Sequence, residues 1–396
     1  MFDLSKIQAA IREFGFDGWL FYDFRGANVL ARRILQIPSE SMGSRRFFYL
    51  VPANGEPQKL VHRIESGALD HLPGEKRIYL RWQELQNALG EMVGRLKNVA
   101  MEYSPNNSIP YISKVDCGTV ELVRSTGANV ESSGNLVQLF EAMWTDAQWR
   151  MHQEVSEFTK TAFEKAWKFI ADSVRANGSV RETAVQQTIL DFFNANDLIW
   201  DHGPIVGEGP NSGDPHYEPQ VGHDAEIKEN SFVLIDLWAK LPRENAVYSD
   251  LTKTGFVGNR VPEKYEKIFQ IVAAARDAAI QFARDAFSQK QTIQGWQIDD
   301  VCRNVIEDAG YGEFFVHRTG HNIGQEIHGN GANIDNLETH DERQILPGTC
   351  FSIEPGIYLE EFGVRSEVDV FVDRDGQVHV TGGLQTSVLP ILEAYS

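Results

Sequence analysis

FVLIDLWAKLPRENAVYSDLTKTG, residues 232–255, joins two strand-like runs through a turn-rich stretch, and each run carries an aspartate, Asp236 and Asp250. A hairpin of this kind lets two strands aim carboxylates at a shared point. Further on, HRTGHNIGQEIHG (317–329), FSIEPGIY (351–358) and GVRSEVDV (363–370) add His321, Glu354 and Glu367. Two aspartates, a histidine and two glutamates supply four carboxylates and one imidazole, a donor set suited to a pair of hard-to-borderline divalent cations. Four carboxylates also balance the charge of two such ions, so the cluster fits a partly dry cleft. Taken singly, Asp236 reads equally well as a buried partner of Lys240 or Lys253, and Asp250 as a strand-end turn former.

The order Asp, Asp, His, Glu, Glu, with these flanking motifs, resembles the pita-bread metallopeptidases, the family of methionine aminopeptidase, aminopeptidase P and prolidase. The resemblance implies an α+β fold: a C-terminal pseudo-symmetric pita-bread catalytic domain over residues 145–396, preceded by a smaller creatinase-type α/β domain over residues 1–144. It implies that Asp236 binds one metal, that His321 and Glu354 bind the other, and that Asp250 and Glu367 bridge the pair. Manganese is the family's expected metal, while cobalt, zinc and iron suit the same mixed shell. A hydroxide shared by the two ions is then the expected nucleophile, since coordination lowers the pKa of water by many units. No GxSxG elbow or glycine-rich phosphate loop offers another route.

The histidines narrow the branch. GPNSGDPHYEP (209–219) sets His216 among turn formers, and His317, His321 and His328 follow at intervals of four and seven. Each buried imidazole needs partners for both nitrogens, so three near a metal glutamate are poor core filling. These positions match the aminopeptidase P and prolidase branch. There the equivalents of His216 and His328 contact substrate and stabilise the intermediate or its leaving group, and that of His317 borders the proline pocket. Tyr358 and Arg365 match the tyrosine and arginine accompanying this site, with substrate binding as their expected role. Glu354 is the expected proton shuttle. The implied activity is removal of the residue preceding proline, from dipeptides or short peptides.

Four positions depart from the family pattern. The interval from Asp236 to Asp250 is long, Asn322 stands where glycine is frequent, and Gly329 where glutamate is. Lys253 replaces a frequent arginine, and Val368 a frequent aspartate. Such changes near a metal site tune affinity and substrate choice. Two other function classes therefore stay open: a metal-dependent hydrolase or lyase of a small non-peptide substrate, and a non-catalytic binding protein, whose expected mark is loss of the ligands.

The rest of the chain sets bounds. Its 396 residues suit two domains, and its 37 basic against 56 acidic residues give a net charge of −19, which opposes nucleic-acid binding. Three cysteines without ligand spacing suit a reducing cytoplasm, no apolar run is long enough for a membrane span, and relatives commonly form homodimers. Thr145 with Gln148 forms a capping-box pattern opening a long helix, with Val155, Phe158, Ala162, Ala166 and Phe169 on one face and Gly178 as its stop. Ser179 with Glu182 repeats the pattern for a second helix, Pro262 opens a third, and 293–310 reads as a fourth. His202, His223 and His340 read as solvated loop residues, Asp299 and Asp300 as exposed helix residues, and Arg32, Arg33, Arg45 and Arg46 as surface arginines.

Overall fold

The computed structural model describes residues 2–38, 40–41 and 43–396, and the chain divides into two compact units, 1–141 and 142–396. The division falls three residues before the expected boundary because Trp144 belongs to the second unit's core. Its indole stacks on Phe371, and its backbone N–H donates to the Gly348 carbonyl.

In the first unit a six-stranded mixed sheet runs in the order Glu75–Tyr79, Gln58–His62, Phe47–Pro52, Gly18–Asp23, Asn98–Met101, Asn129–Ser132. Every residue of Gly18–Asp23 is buried. Successive strand side chains point to opposite faces, so Trp19 and Phe21 enter one core with Ile7 and Leu136, while Leu20 and Tyr22 enter the other with Leu89 and Val120. The Asn54-Gly55 turn that links two of these strands carries Gly55 at φ 99°, which a side-chain-bearing residue rarely adopts.

The second unit repeats one plan twice. Helix Asp146–Asn177 (32 residues) and helix Glu182–Ala195 (14 residues) cover the sheet Leu389–Pro390, Ser249–Phe256, Phe232–Ala239, Ile205–Glu208. Helix Glu263–Ser288 (26 residues) and helix Gly295–Asp308 (14 residues) cover the sheet Asn322–Ile323, Cys350–Ile353, Val368–Val372, Val378–Thr381. Each half thus has its own apolar core, in which a fully buried aromatic or aliphatic side chain contributes about 1.5–3 kcal/mol.

Local signals explain the helix ends. Thr145 caps the 32-residue helix through the reciprocal bond with Gln148, and Gly178 stops it in the left-handed region at φ 83°. Of its expected buried face, Val155, Ala162 and Ala166 are fully buried, while Phe158 and Phe169 are half-buried. The second capping box does not form. Ser179–Arg181 pairs as a short strand with Glu226–Lys228, Arg181 takes the cap position, and Glu182 turns inward. Asp299 is also not exposed: with Ile298, Cys302, Arg303 and Ile306 it lies on the helix's buried side. Among the described residues, no helix is long and apolar enough to cross a membrane.

Candidate metal centre

In the hairpin, Asp236 lies opposite Thr252, and Trp238 opposite Asp250. Directly opposed residues share a face, as do alternate residues along a strand. Asp236, Trp238, Asp250 and Thr252 therefore project from one side of the sheet. Lys253 points the other way, over the Phe163 ring, and Lys240 donates to the Gln325 carbonyl, so neither lysine pairs with Asp236. Asn245, in the left-handed region at φ 60°, helps turn the long tip.

The second half supplies the other donors. His321 lies beside strand Cys350–Ile353, donating its backbone N–H to Ser352 Oγ while its carbonyl accepts from the Ser352 N–H. Its Nδ1 is 3.2 Å from the Asn322 carbonyl, an acceptor that fixes the proton on Nδ1 and frees the Nε2 lone pair. That Nε2 lies 3.4 Å from Asp250 Oδ2 and 3.5 Å from Glu354 Oε1. Donor atoms of Asp250, His321 and Glu367 all fall within 4.8 Å of one another. Asp236 is turned to Arg365, whose Nη2 donates to its Oδ2 at 2.6 Å.

Two observations fit divalent cations to this cluster. Asp236 Oδ1 and Glu367 Oε1 are buried without any hydrogen-bond partner from the protein, and since native buried carboxylate oxygens are seldom left bare, a cation fits there. The carboxyls also repel one another as anions. Burial raises Asp250 well above the usual range, with Asp236 and Glu354 adding to it, and raises Glu367 likewise, with Asp250 next in effect. Burial pushes Glu354 up to about 7 against the pull of Arg365.

These shifts have a measurable sign. Between about pH 4.5 and 7 the folded, metal-free protein holds more protons on these groups than the unfolded chain, so its stability falls as pH rises through the raised pKa values. Metal ions displace those protons. The gain in melting temperature from saturating Mn²⁺ is therefore expected to be larger at pH 8 than at pH 5.5. Each pKa unit is worth about 1.4 kcal/mol, or roughly 3–6 °C in a unit of this size, so the difference should reach several degrees. Equal gains at both pH values, by scanning calorimetry, would refute the coupling.

The expected substrate-binding trio forms one hydrogen-bonded chain. Arg365 Nη1 donates to Tyr358 Oη at 2.9 Å, Tyr358 donates to His317 Nε2 at 2.7 Å, and His317 Nδ1 donates to the Arg318 carbonyl at 2.7 Å. Burial, aided by the Arg365 charge, pushes His317 down to about 3 and keeps it neutral. Both its nitrogens are engaged, so His317 presents a ring face rather than a free polar atom. Arg365 also donates to Thr252 Oγ1 and to the Pro215 carbonyl, tying both halves together.

His216 and His328 differ, since both keep contact with solvent. His328 stands edge-on to His321 at 4.3 Å between ring centroids. Partial withdrawal from water and then the Arg318 charge push it down to about 4, and His216 adds to the effect. The charge of His216 also reaches Asp236. The two imidazoles thus flank the carboxylates from the open side. His202, His223 and His340 are exposed, as expected. In the first unit, Arg33 is exposed, whereas Arg32 is half-buried and paired with Asp23.

Several supporting residues escaped sequence reasoning. Thr252 donates to Glu367 Oε2 at 2.7 Å while accepting from Arg365. Asp369 is fully buried and accepts from Ser249 Oγ and the Asp250 N–H, with His152 Nε2 3.6 Å away. An aspartate is thus present, one place beyond Val368. Asp299 accepts from the Thr319 N–H and hydroxyl, in the loop between His317 and His321.

Two of the sequence departures prove to be one. The Asn322 amide donates to the Cys350 carbonyl and accepts from the Gly331 N–H, and a Cβ on Gly329 or Gly331 would run into that same amide. The asparagine fills the space that the glycines vacate.

Comparison with known proteins follows the same lines. Residues 150–374 match the model of metallopeptidase family M24. An Xaa-Pro dipeptidase of Lactobacillus delbrueckii subsp. lactis is 34% identical over 191 residues, 48% of this chain and 47% of the relative. The alignments span about half the length of the first curated relatives. Among solved structures, dipeptidase PepE from Mycobacterium ulcerans superposes with a TM-score of 0.65 at 20% identity, covering 98% of this chain and 96% of that one. An Xaa-Pro dipeptidase from Bacillus anthracis gives 0.60 at 21% identity, with 98% of each chain covered. The likeness in fold covers both units.

Proposed function

The chain belongs to metallopeptidase family M24, and from that premise we propose that it hydrolyses the bond preceding proline in dipeptides or short peptides. The observation that carries this reading is the convergence of Asp250, His321 and Glu367 donor atoms within 4.8 Å, with bare carboxylate oxygens on Asp236 and Glu367. Asp236, Asp250, His321, Glu354 and Glu367 would hold two divalent cations, manganese first. Those ions would supply Lewis-acid polarisation of the scissile carbonyl and water of lowered pKa.

The chain's own residues do the rest. An acylated proline nitrogen carries no hydrogen, so the site must read the ring by shape. The His317 and Tyr358 rings, 5.3 Å apart, suit that task. Glu354, whose Oε1 lies 3.5 Å from His321 Nε2, is the carboxyl placed to hold a proton and pass it on. The departing secondary amine needs a proton donor, and His216 and His328, on the open side, are placed to meet substrate there. In this reading residues 142–396 form the catalytic domain, and the protein is a cytoplasmic homodimer. Its three free thiols suit a reducing compartment.

The test is hydrolysis of Ala-Pro and Ala-Pro-Ala by manganese-loaded protein, with Asp250→Asn in parallel. Cleavage of the dipeptide alone makes it a prolidase, and cleavage of the tripeptide an aminopeptidase P. If neither is cut while metal is held, the Xaa-Pro reading fails and non-peptide substrates come forward.

A further inference from the structure

His216 presents a puzzle of placement. Among the described residues no hydrogen bond holds its imidazole, and its backbone N–H donates only to Asp214 Oδ1 within its own loop. Its position must therefore come from its neighbours. Pro215, on one side, is pinned by Arg365 Nη1 at 3.3 Å to its carbonyl. Tyr217, on the other, donates its hydroxyl to Glu182 Oε2 at 2.6 Å.

Glu182 is fully buried, and its partners all lie within residues 208–225. Oε1 accepts from the Glu208 N–H at 2.6 Å and Asn211 Nδ2 at 3.0 Å, and Oε2 accepts from Tyr217 and the Ala225 N–H at 2.7 Å. These donors sit at the start, middle and end of the segment that carries His216. Only a carboxylate offers two oxygens with lone pairs for so many donors. The negative charge is further favoured by its place in the first turn of helix Glu182–Ala195.

We propose that Glu182 is a positioning residue, whose carboxylate clamps residues 208–225 and so holds His216, next to Pro215, near the Arg365 guanidinium that also binds Asp236. Its kinetic consequence rests on the peptidase reading above, whereas its structural consequence does not. Glutamine at this place would turn an NH₂ group toward converging donors and release part of the loop, while the five metal-binding candidates lie on other elements.

The experiment uses the full, manganese-loaded chain and the variants Glu182→Gln, His216→Ala and their double. Glu182→Gln should lower kcat/KM on the cleaved Ala-Pro peptide by about ten- to hundred-fold, as displaced supporting groups do, with metal content at the wild-type level. In the His216→Ala background the same change should add almost nothing, because a residue acting through His216 has nothing left to position. Amide hydrogen exchange should quicken across 209–225 and stay unchanged across 317–328. Tyr217→Phe, which removes one donor, should give a smaller change of the same kind and serves if Glu182→Gln folds poorly. Additive losses in the double variant, loss of metal, or unchanged exchange would each overturn the proposal. If wild-type protein cuts no Xaa-Pro peptide, the peptidase reading falls while hydrogen exchange still decides the clamp.

Discussion

Asp250→Asn is expected to cost the protein at least one equivalent of metal and to lower peptide hydrolysis by roughly 10³-fold or more. Loss of a carboxylate ligand, the role proposed for Asp250, removes several kcal/mol of charge stabilisation, and each 1.36 kcal/mol is about tenfold in rate. Stability should move in opposite directions with and without metal. In the metal-free protein Asp250 sits buried among Asp236 and Glu354, and its ionisation is opposed by both. A neutral isostere relieves that repulsion. The metal-free variant should therefore melt above metal-free wild type at pH 8, and the manganese-loaded variant below loaded wild type. Metal content by plasma mass spectrometry and melting with and without chelator test this. A variant that keeps two metals and acts within tenfold of wild type would remove Asp250 from the ligand set.

Arg365→Met should carry the largest stability penalty in the second unit. The guanidinium is buried and makes four hydrogen bonds, to Asp236, Thr252, Tyr358 and the Pro215 carbonyl. Removing one partner of a buried ion pair leaves the other uncompensated, which costs about 3–5 kcal/mol. Here both Asp236 oxygens would be bare. Urea denaturation in chelator at pH 8 should show this loss, and the loss should shrink as pH falls, because burial already raises Asp236 and removing Arg365 takes away the charge that holds it down. A change below about 1 kcal/mol would mean that desolvation of the pair cancels its attraction.

The long-helix ends were legible because short-range chemistry writes them, whereas the donor set, spread over residues 236–367, was read from its likeness to a known family. A capping threonine needs its partner three residues on, and a helix stop needs only a glycine. The hairpin showed as two apolar runs around a turn. Glu182, Asp299 and Asp369 were not legible in their roles, because their partners are remote. The bond from the Asp250 N–H to Asp369 spans 119 positions, and Glu182 reaches Ala225 across 43. Asp299 and Asp300 are adjacent acids on one helix, and only tertiary packing decides that the first turns inward. His317 was read as a pocket wall, yet the chain from Arg365 through Tyr358 that engages its ring depends on strands folding back over 41 residues.

The packing of Asn322 against Gly329 and Gly331 makes the order of substitution at these sites matter. A side chain at 329 would push the Asn322 amide out of its hydrogen bonds, whereas a glycine at 322 would clear the space for one. Changing position 322 to glycine first is therefore the order that contests no space. The intermediate in that order forfeits two hydrogen bonds but no volume is contested. The reverse order passes through a clash beside His321. Libraries that vary the two positions one at a time would score the 329 substitution as costly, although jointly with glycine at 322 it contests no space.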